Sequence, residues 1–156
     1  MRLHIAAVGR LRGGPERQLV DDYLSRLERT GRGLGLTLGD VTEVEDRTGG
    51  GAEQEARRLR NAMPNGAALW VMDERGRALT SPDFARAIAD ERDAGRRDLL
   101  LMIGGADGID PDLRAEADRV ISFGPMVWPH MLARVMLAEQ LYRAATILAG
   151  SPYHRG

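Results

Sequence analysis

The chain has 156 residues, 43% of them apolar and 29% charged, with no cysteine and a net charge of −1. That length can bury a full core without staples, the composition excludes a disordered chain, and the missing cysteine removes disulfides, thiolate metal sites and a thiol nucleophile. The near-zero charge argues against a global basic footprint for nucleic acid, although all 22 basic residues are arginine. No basic start leads into an apolar signal core, and no apolar run approaches the ~20 residues that cross a bilayer. A single domain over residues 1–156, cytoplasmic and away from membranes, is therefore expected.

Residues 3–8, LHIAAV, read as a strand that ends at Gly9. Pro15 suits a first helical position, Leu19, Val20, Tyr23, Leu24 and Leu27 recur at helical spacing, and Gly31 can close the helix. Residues 34–45 alternate like a half-exposed strand with glycine-blurred ends. The run DRTGGGAE reads as a flexible connection, followed by a helix marked by Ala56, Leu59 and Met63 that stops near Pro64. Its Arg57, Arg58 and Arg60 read as a solvated face. Residues 67–72, AALWVM, form a buried strand; Ser81 and Pro82 then read as the N-cap and first turn of a helix ended by Gly95. DLLLMI, residues 98–103, has the continuous apolar character of a parallel strand covered on both faces, and it opens into GGADGID. Asp110 and Pro111 start a short helix, residues 119–123 give the last strand, and residues 131–148 the last helix. Strands separated by helices predict an α/β fold, a mostly parallel sheet with helices on both faces.

In such sheets ligands bind at the carboxyl ends of the strands, which singles out residues 72–76, 104–108 and 123–130. Paired glycines let a backbone approach a ligand closely, although GGADG matches neither a dinucleotide nor a P-loop pattern and a tight turn explains it as well. The last helix carries only Arg134, Glu139 and Arg143 as charged residues, and they do not gather on one face. Such a helix is covered on more than one side, by the core of a monomer or by a second subunit. Pro129 and His130 can simply shape the helix entry, and SPYHRG can be a frayed end. Together, however, Tyr153, His154 and Arg155 offer stacking, proton transfer and phosphate contact.

Taken together, AAVG, IGGADGI, PHMLARVMLAEQLYRA and the terminal PYHRG make the chain, over its whole length, resemble the ribosomal RNA large subunit methyltransferase H family. The resemblance implies a SPOUT-class enzyme with a deep C-terminal trefoil knot and a homodimer that binds S-adenosylmethionine in its knot loops. It implies methylation of N3 of a pseudouridine in 23S rRNA, in the assembled ribosome and without a metal. Carried onto this sequence, it assigns cofactor binding to Met72, Gly104, Phe123, Gly124, Pro125, Met126, Val127 and Trp128. Val127 stands where relatives are expected to carry Thr, and Trp128 where a smaller apolar residue is expected. His154 or His130 would handle the N3 proton, Arg155 and Arg143 would contact phosphate or a developing anion, and Tyr153 would shape the base pocket. Alternatives are a SPOUT methyltransferase for another RNA nucleotide and a non-catalytic ribosome-associated module. The almost wholly apolar helix 131–148 needs a second covering surface, which the homodimer implied by the resemblance supplies, and this predicts a site shared between two subunits, residues 123–130 from one and Tyr153, His154 and Arg155 from the other.

Overall fold

The computed structural model describes residues 1–45 and 51–154. Its elements are β1 (Arg2–Val8), α1 (Pro15–Gly31), a 3-10 turn (Arg32–Leu34), β2 (Thr37–Val44), α2 (Gly51–Asn61), β3 (Ala68–Ala78), α3 (Ser81–Asp93), β4 (Asp98–Ile103), α4 (Pro111–Ala115), β5 (Arg119–Ser122) and α5 (His130–Leu148). The strands form one parallel sheet in the order β2-β1-β4-β3-β5, the α/β architecture that the alternating sequence predicts.

The two-residue strand period sorts the core into two layers. Leu3, Ile5 and Ala7 of β1, Trp70 of β3, and Leu99, Leu101 and Ile103 of β4 pack on α1, α3 and α5. Ala6, Val8, Leu69, Val71, Leu100 and Met102 face the other way, toward Ala56 and Leu59 of α2 and Leu113 of α4. Every residue of the central β4 is buried, which explains its continuous apolar sequence.

Several boundaries differ from the sequence reading, each for a local reason. The second strand starts at Thr37, because the chain runs on from α1 into the 3-10 turn that Gly35 closes at φ +69°. α3 is capped by Thr80, whose Oγ1 accepts from the Asp83 N–H at 3.2 Å, so Ser81 and Pro82 are its first helical residues. Ser81 Oγ instead donates to Gln140 Oε1 at 2.8 Å and ties α3 to α5. α2 begins at Gly51, within the run read as a connection, whose residues 46–50 lie outside the described residues. Arg60 of its polar face is not merely solvated: it pairs with both oxygens of Glu116, at 3.2 and 2.8 Å.

The largest difference is in β3, which continues six residues past Met72. Met72 and Arg77 both register with Ile121, so residues 73–76 make an excursion while β5 passes beside them. The approach is close enough that a Cβ on Gly76 would lie 2.6 Å from the Ile121 nitrogen, a space that only glycine tolerates. From β5 at the sheet edge the chain then returns across the strand ends to β1. Arg134 of α5, 1% exposed at its side chain, anchors that return: its Nη1 donates to Glu43 Oε1 at 2.9 Å and its Nη2 to the Val8 and Gly9 carbonyls at 3.0 and 2.9 Å. Desolvation by burial holds its guanidinium below the usual arginine pKa, opposed by Glu43.

At the opposite end of the sheet, His4 sits in an irregularity of β2, where the register moves from Leu3 with Leu38 to Ile5 with Val41. Its Nδ1 accepts from the Asp40 N–H at 2.9 Å, so Nε2 carries the proton and donates to Asp98 Oδ1 at 2.7 Å. Arg2 donates to the same carboxylate at 2.7 and 3.0 Å. The Arg2 hydrogen bonds, with a smaller contribution from His4, hold the Asp98 carboxyl below its ordinary pKa.

Candidate active site

The carboxyl ends of β3, β4 and β5 and the start of α5 enclose an open cavity of about 590 Å³. The three segments singled out by the parallel-sheet rule thus converge on one place. Met72, Gly104, Phe123, Gly124, Met126, Val127, Trp128 and His130 all line it; Pro125 does not, and is exposed beside it. The walls are largely apolar, yet Met126 is 68% and Val127 80% exposed, and Trp128 is also exposed. Contiguous apolar side chains left open at a cavity mark a surface that a ligand covers.

Hydrogen bonds that the sequence did not reveal set the shape of these loops. Asp73 Oδ1 accepts from the Arg75 N–H at 2.8 Å and Oδ2 from Arg114 Nη1 at 3.3 Å, locking the β3 excursion to α4. Ser122 Oγ donates to the Gly124 carbonyl at 2.9 Å and accepts from the Gly124 N–H at 3.0 Å, closing a turn in which Gly124 has φ +111°. The only sequence signals were an Asp after an apolar strand and a Ser two residues before a Gly, both too common to stand out. Gly104 is buried, and a Cβ there would collide with the backbone of Gly108. Gly104 is therefore needed first for the tight turn itself, while Gly105 leaves room for Val8 and the Glu55 carboxylate. His130, the first residue of α5, rests against Gly9, where a Cβ would come within 3.2 Å of its Nε2.

The other residues expected to carry chemistry form a separate cluster near the end of α5. Arg143 donates to Glu139 Oε1 from Nε at 2.9 Å and from Nη2 at 2.5 Å, and Tyr153 Oη donates to the same oxygen at 3.1 Å. Arg143 Nη1 lies 3.3 Å from His154 Nδ1; because a guanidinium only donates, Nδ1 accepts and the neutral ring carries its proton on Nε2. Arg143 also lies over the Tyr153 ring at 4.9 Å, and Tyr142 packs on Tyr153 at 4.7 Å between centroids. Burial, then Glu139, pushes the Tyr153 hydroxyl up to about 12, so it stays a donor at neutral pH. Glu139 therefore does more than orient Arg143; it organises the cluster. Arg155 lies outside the described residues.

Within one chain the two groups are not brought together. His130 and Arg143 stand 13 residues apart on one helix, about 20 Å along its axis at 1.5 Å per residue. The cluster lies instead beside a second, apolar cavity of about 470 Å³, whose lining includes Leu19 and Tyr23 of α1, Phe84 of α3, and Val135, Met136 and Glu139 of α5.

The family model described as "Predicted SPOUT methyltransferase" matches residues 1–154 of the chain. "Ribosomal RNA large subunit methyltransferase H" from Ruegeria pomeroyi is 68% identical over 99% of both chains, and the protein of that name from Roseobacter denitrificans 66% identical over the same shares. Among solved structures, a probable methylase family protein from Haemophilus influenzae superposes with a TM-score of 0.52 at 12% identity, covering 99% of this chain and 70% of that one, a likeness of fold alone. The chain belongs to the ribosomal RNA large subunit methyltransferase H family of SPOUT methyltransferases.

Proposed function

We propose that the chain acts over its whole length as one S-adenosylmethionine-dependent methyltransferase that modifies N3 of a pseudouridine in 23S rRNA of the assembled ribosome. The observation that carries this reading is the convergence of the three strand-end segments on one open, largely apolar cavity. Its volume falls in the range of small-molecule sites, and its glycine-rich backbone and apolar walls suit an adenosine with a charged tail. Met72, Gly104, Phe123, Gly124, Met126, Val127 and Trp128 would hold it, with Pro125 stiffening the turn from outside. When bound, the sulfonium supplies an already activated methyl group, so the residues of the chain need only align the acceptor and handle one proton. The excursion of β3 beside β5, and the return of α5 to β1, support the trefoil knot expected of the family.

The 20 Å gap along α5 favours a homodimer in which Tyr153, His154 and Arg155 of one subunit close over the cavity of the other. The exposed Leu19, Met131 and Leu132 and the apolar groove between α1, α3 and α5 offer the surface such a dimer covers. In this composite site the His130 imidazole, which makes no hydrogen bond among the described residues, accepts the N3 proton. Loss of that proton leaves negative charge on the two carbonyl oxygens flanking N3. His154 Nε2–H, held by Arg143, then faces that charge as a donor, while Tyr153, whose one hydroxyl hydrogen goes to Glu139, shapes the base pocket.

Calorimetry with S-adenosylmethionine separates this reading from a non-catalytic module, which would show no saturable heat. Mass mapping of 23S rRNA from a strain lacking the protein identifies the nucleotide, and a missing methyl group elsewhere would favour a different RNA target. For the shared site, a Met126→Asp/Val127→Asp variant is mixed with one truncated before Ser151. In a composite site each mixed dimer has one intact site, so equimolar subunit exchange restores about a quarter of full activity. A mixture that stays inactive despite verified exchange refutes the shared site.

A further inference from the structure

The overall charge of −1 conceals a sorting of the arginines. Most are engaged: Arg2, Arg60, Arg114 and Arg134, for example, hold carboxylates that are buried or bridge elements. Among the described residues, the side chains of Arg10, Arg12, Arg29, Arg75, Arg77 and Arg97 have no hydrogen-bond or ion-pair partner, and all six residues are exposed. Arg29 and Arg97 lie toward the far end of the sheet, near the end of α1 and just before β4. The other four lie at the cavity end. Arg75 lines the cavity, Arg77 is in register with the cavity residue Ile121, and Arg10 and Arg12 sit on the loop that leaves β1 at Gly9, where His130 packs. That loop is held in place, because Leu11 is buried, its N–H donates to Glu43 Oε1 at 3.0 Å and its carbonyl accepts from Arg17. Among the described residues, that end also presents the unpaired carboxylates of Glu74 and Asp107 on the cavity and of Glu16 at the start of α1, so the four arginines there outnumber the free acids. An exposed guanidinium without an internal partner keeps its full donor fork for a planar or tetrahedral oxyanion.

We propose that Arg10, Arg12, Arg75 and Arg77 form a phosphate-binding rim that grips the RNA backbone on either side of the methylated nucleotide. The inference rests on the RNA-methyltransferase reading above and adds to it the means by which a protein of negative net charge holds a polyanion. A rim of four arginines gives salt-sensitive binding, since each phosphate neutralised releases condensed counterions. Because none of the four supports the fold through a pair, removing their charge leaves the cavity intact.

The test uses the full-length protein and fluorescently labelled ribosomes from a strain lacking it, with binding followed between about 50 and 200 mM salt. Arg10→Gln/Arg12→Gln/Arg75→Gln/Arg77→Gln is compared with Arg29→Gln/Arg97→Gln, which removes free arginines from the far end. The quadruple variant is expected to keep its melting temperature, and Arg10→Gln/Arg12→Gln/Arg77→Gln, which leaves the cavity-lining Arg75 in place, its calorimetric affinity for S-adenosylmethionine. The quadruple variant is expected to weaken ribosome binding at least tenfold and to flatten the logarithmic salt slope by about 0.7 to 0.9 for each phosphate no longer neutralised. Its methyl transfer should fall through KM rather than kcat, while the far-end variant stays at the wild-type level. An unchanged salt slope overturns the rim, and weaker binding with an unchanged slope also overturns it by placing these arginines on ribosomal protein. If wild-type protein binds ribosomes through the rim but transfers no methyl group, the enzymatic reading fails and the rim stands. If wild-type protein does not bind, both fail.

Discussion

Replacing Arg134 by Met should uncouple the last helix from the first strand. The methionine stem can fill much of the buried volume, but the Val8 and Gly9 carbonyls lose their donor and Glu43 loses its closest cation. Removing one partner of a buried ion pair costs about 3 to 5 kcal/mol. The low end applies here, because Glu43 keeps the Leu11 N–H and has Arg17 Nη1 at 3.8 Å. At roughly 2 to 4 °C per kcal/mol for a chain of this size, the melting temperature should drop by about 6 to 12 °C. Arg134→Lys keeps the charge but not the planar fork that reaches three acceptors, so about half of that loss should remain. Thermal unfolding at neutral pH reads both variants. The double variant Arg134→Met/Glu43→Gln should be less destabilised than the sum of the single changes, by about 1 to 3 kcal/mol of coupling. A melting temperature for Arg134→Met within about 2 °C of wild type would refute the idea that this clamp holds α5 to the sheet.

Other outcomes follow from the same geometry. Gly76→Ala should destabilise by at least about 3 kcal/mol, since its Cβ meets the Val120–Ile121 backbone rather than a movable side chain; a wild-type melting curve would show that β3 and β5 separate freely there. Gly104→Ala should weaken S-adenosylmethionine binding at least tenfold by distorting the turn against Gly108, a change visible by calorimetry on protein that is still folded. Asp98 has a lowered pKa when folded, so its contribution is present above the unfolded carboxylate value near 3.9 and is lost as pH falls through its folded value. Asp98→Asn should accordingly flatten the fall in stability below about pH 4, and an unchanged acid limb in urea titrations would contradict this. With its hydroxyl pushed up to about 12, Tyr153 should be absent from the phenolate absorbance that forms near pH 10, which a difference spectrum against Tyr153→Phe would show; Glu139→Gln should bring part of it back toward its ordinary value.

The alternation of elements was legible in the sequence because strands and helices bury residues at different periods, and DLLLMI, AALWVM and the 15–31 helix are long enough to display them. The parallel sheet and the placing of the cavity at its carboxyl ends followed from that alternation alone. The residues proposed to hold the cofactor came from matching whole motifs, and all of them except Pro125 line one cavity. What the sequence could not show depends on contacts between distant segments. The sequence reading ended the third strand at Met72, and only the approach of β5 lets Arg77 and Ala78 pair as strand. Arg134 and His4 look like ordinary polar residues until the sheet closes around them and brings Glu43, Asp40 and Asp98 within hydrogen-bond distance. The separation of His130 from Arg143, Tyr153 and His154 is likewise a tertiary result: the rise of α5 was implicit in the sequence, but the packing of the tail back onto Tyr142 and Glu139 was not. Local periodicity, a property of neighbouring residues, thus determined the elements and their order. The crossing of β3 and β5, the clamp on β1 and the division of the candidate catalytic groups were decided by the tertiary structure, because each rests on hydrogen bonds and close packing between segments tens of residues apart.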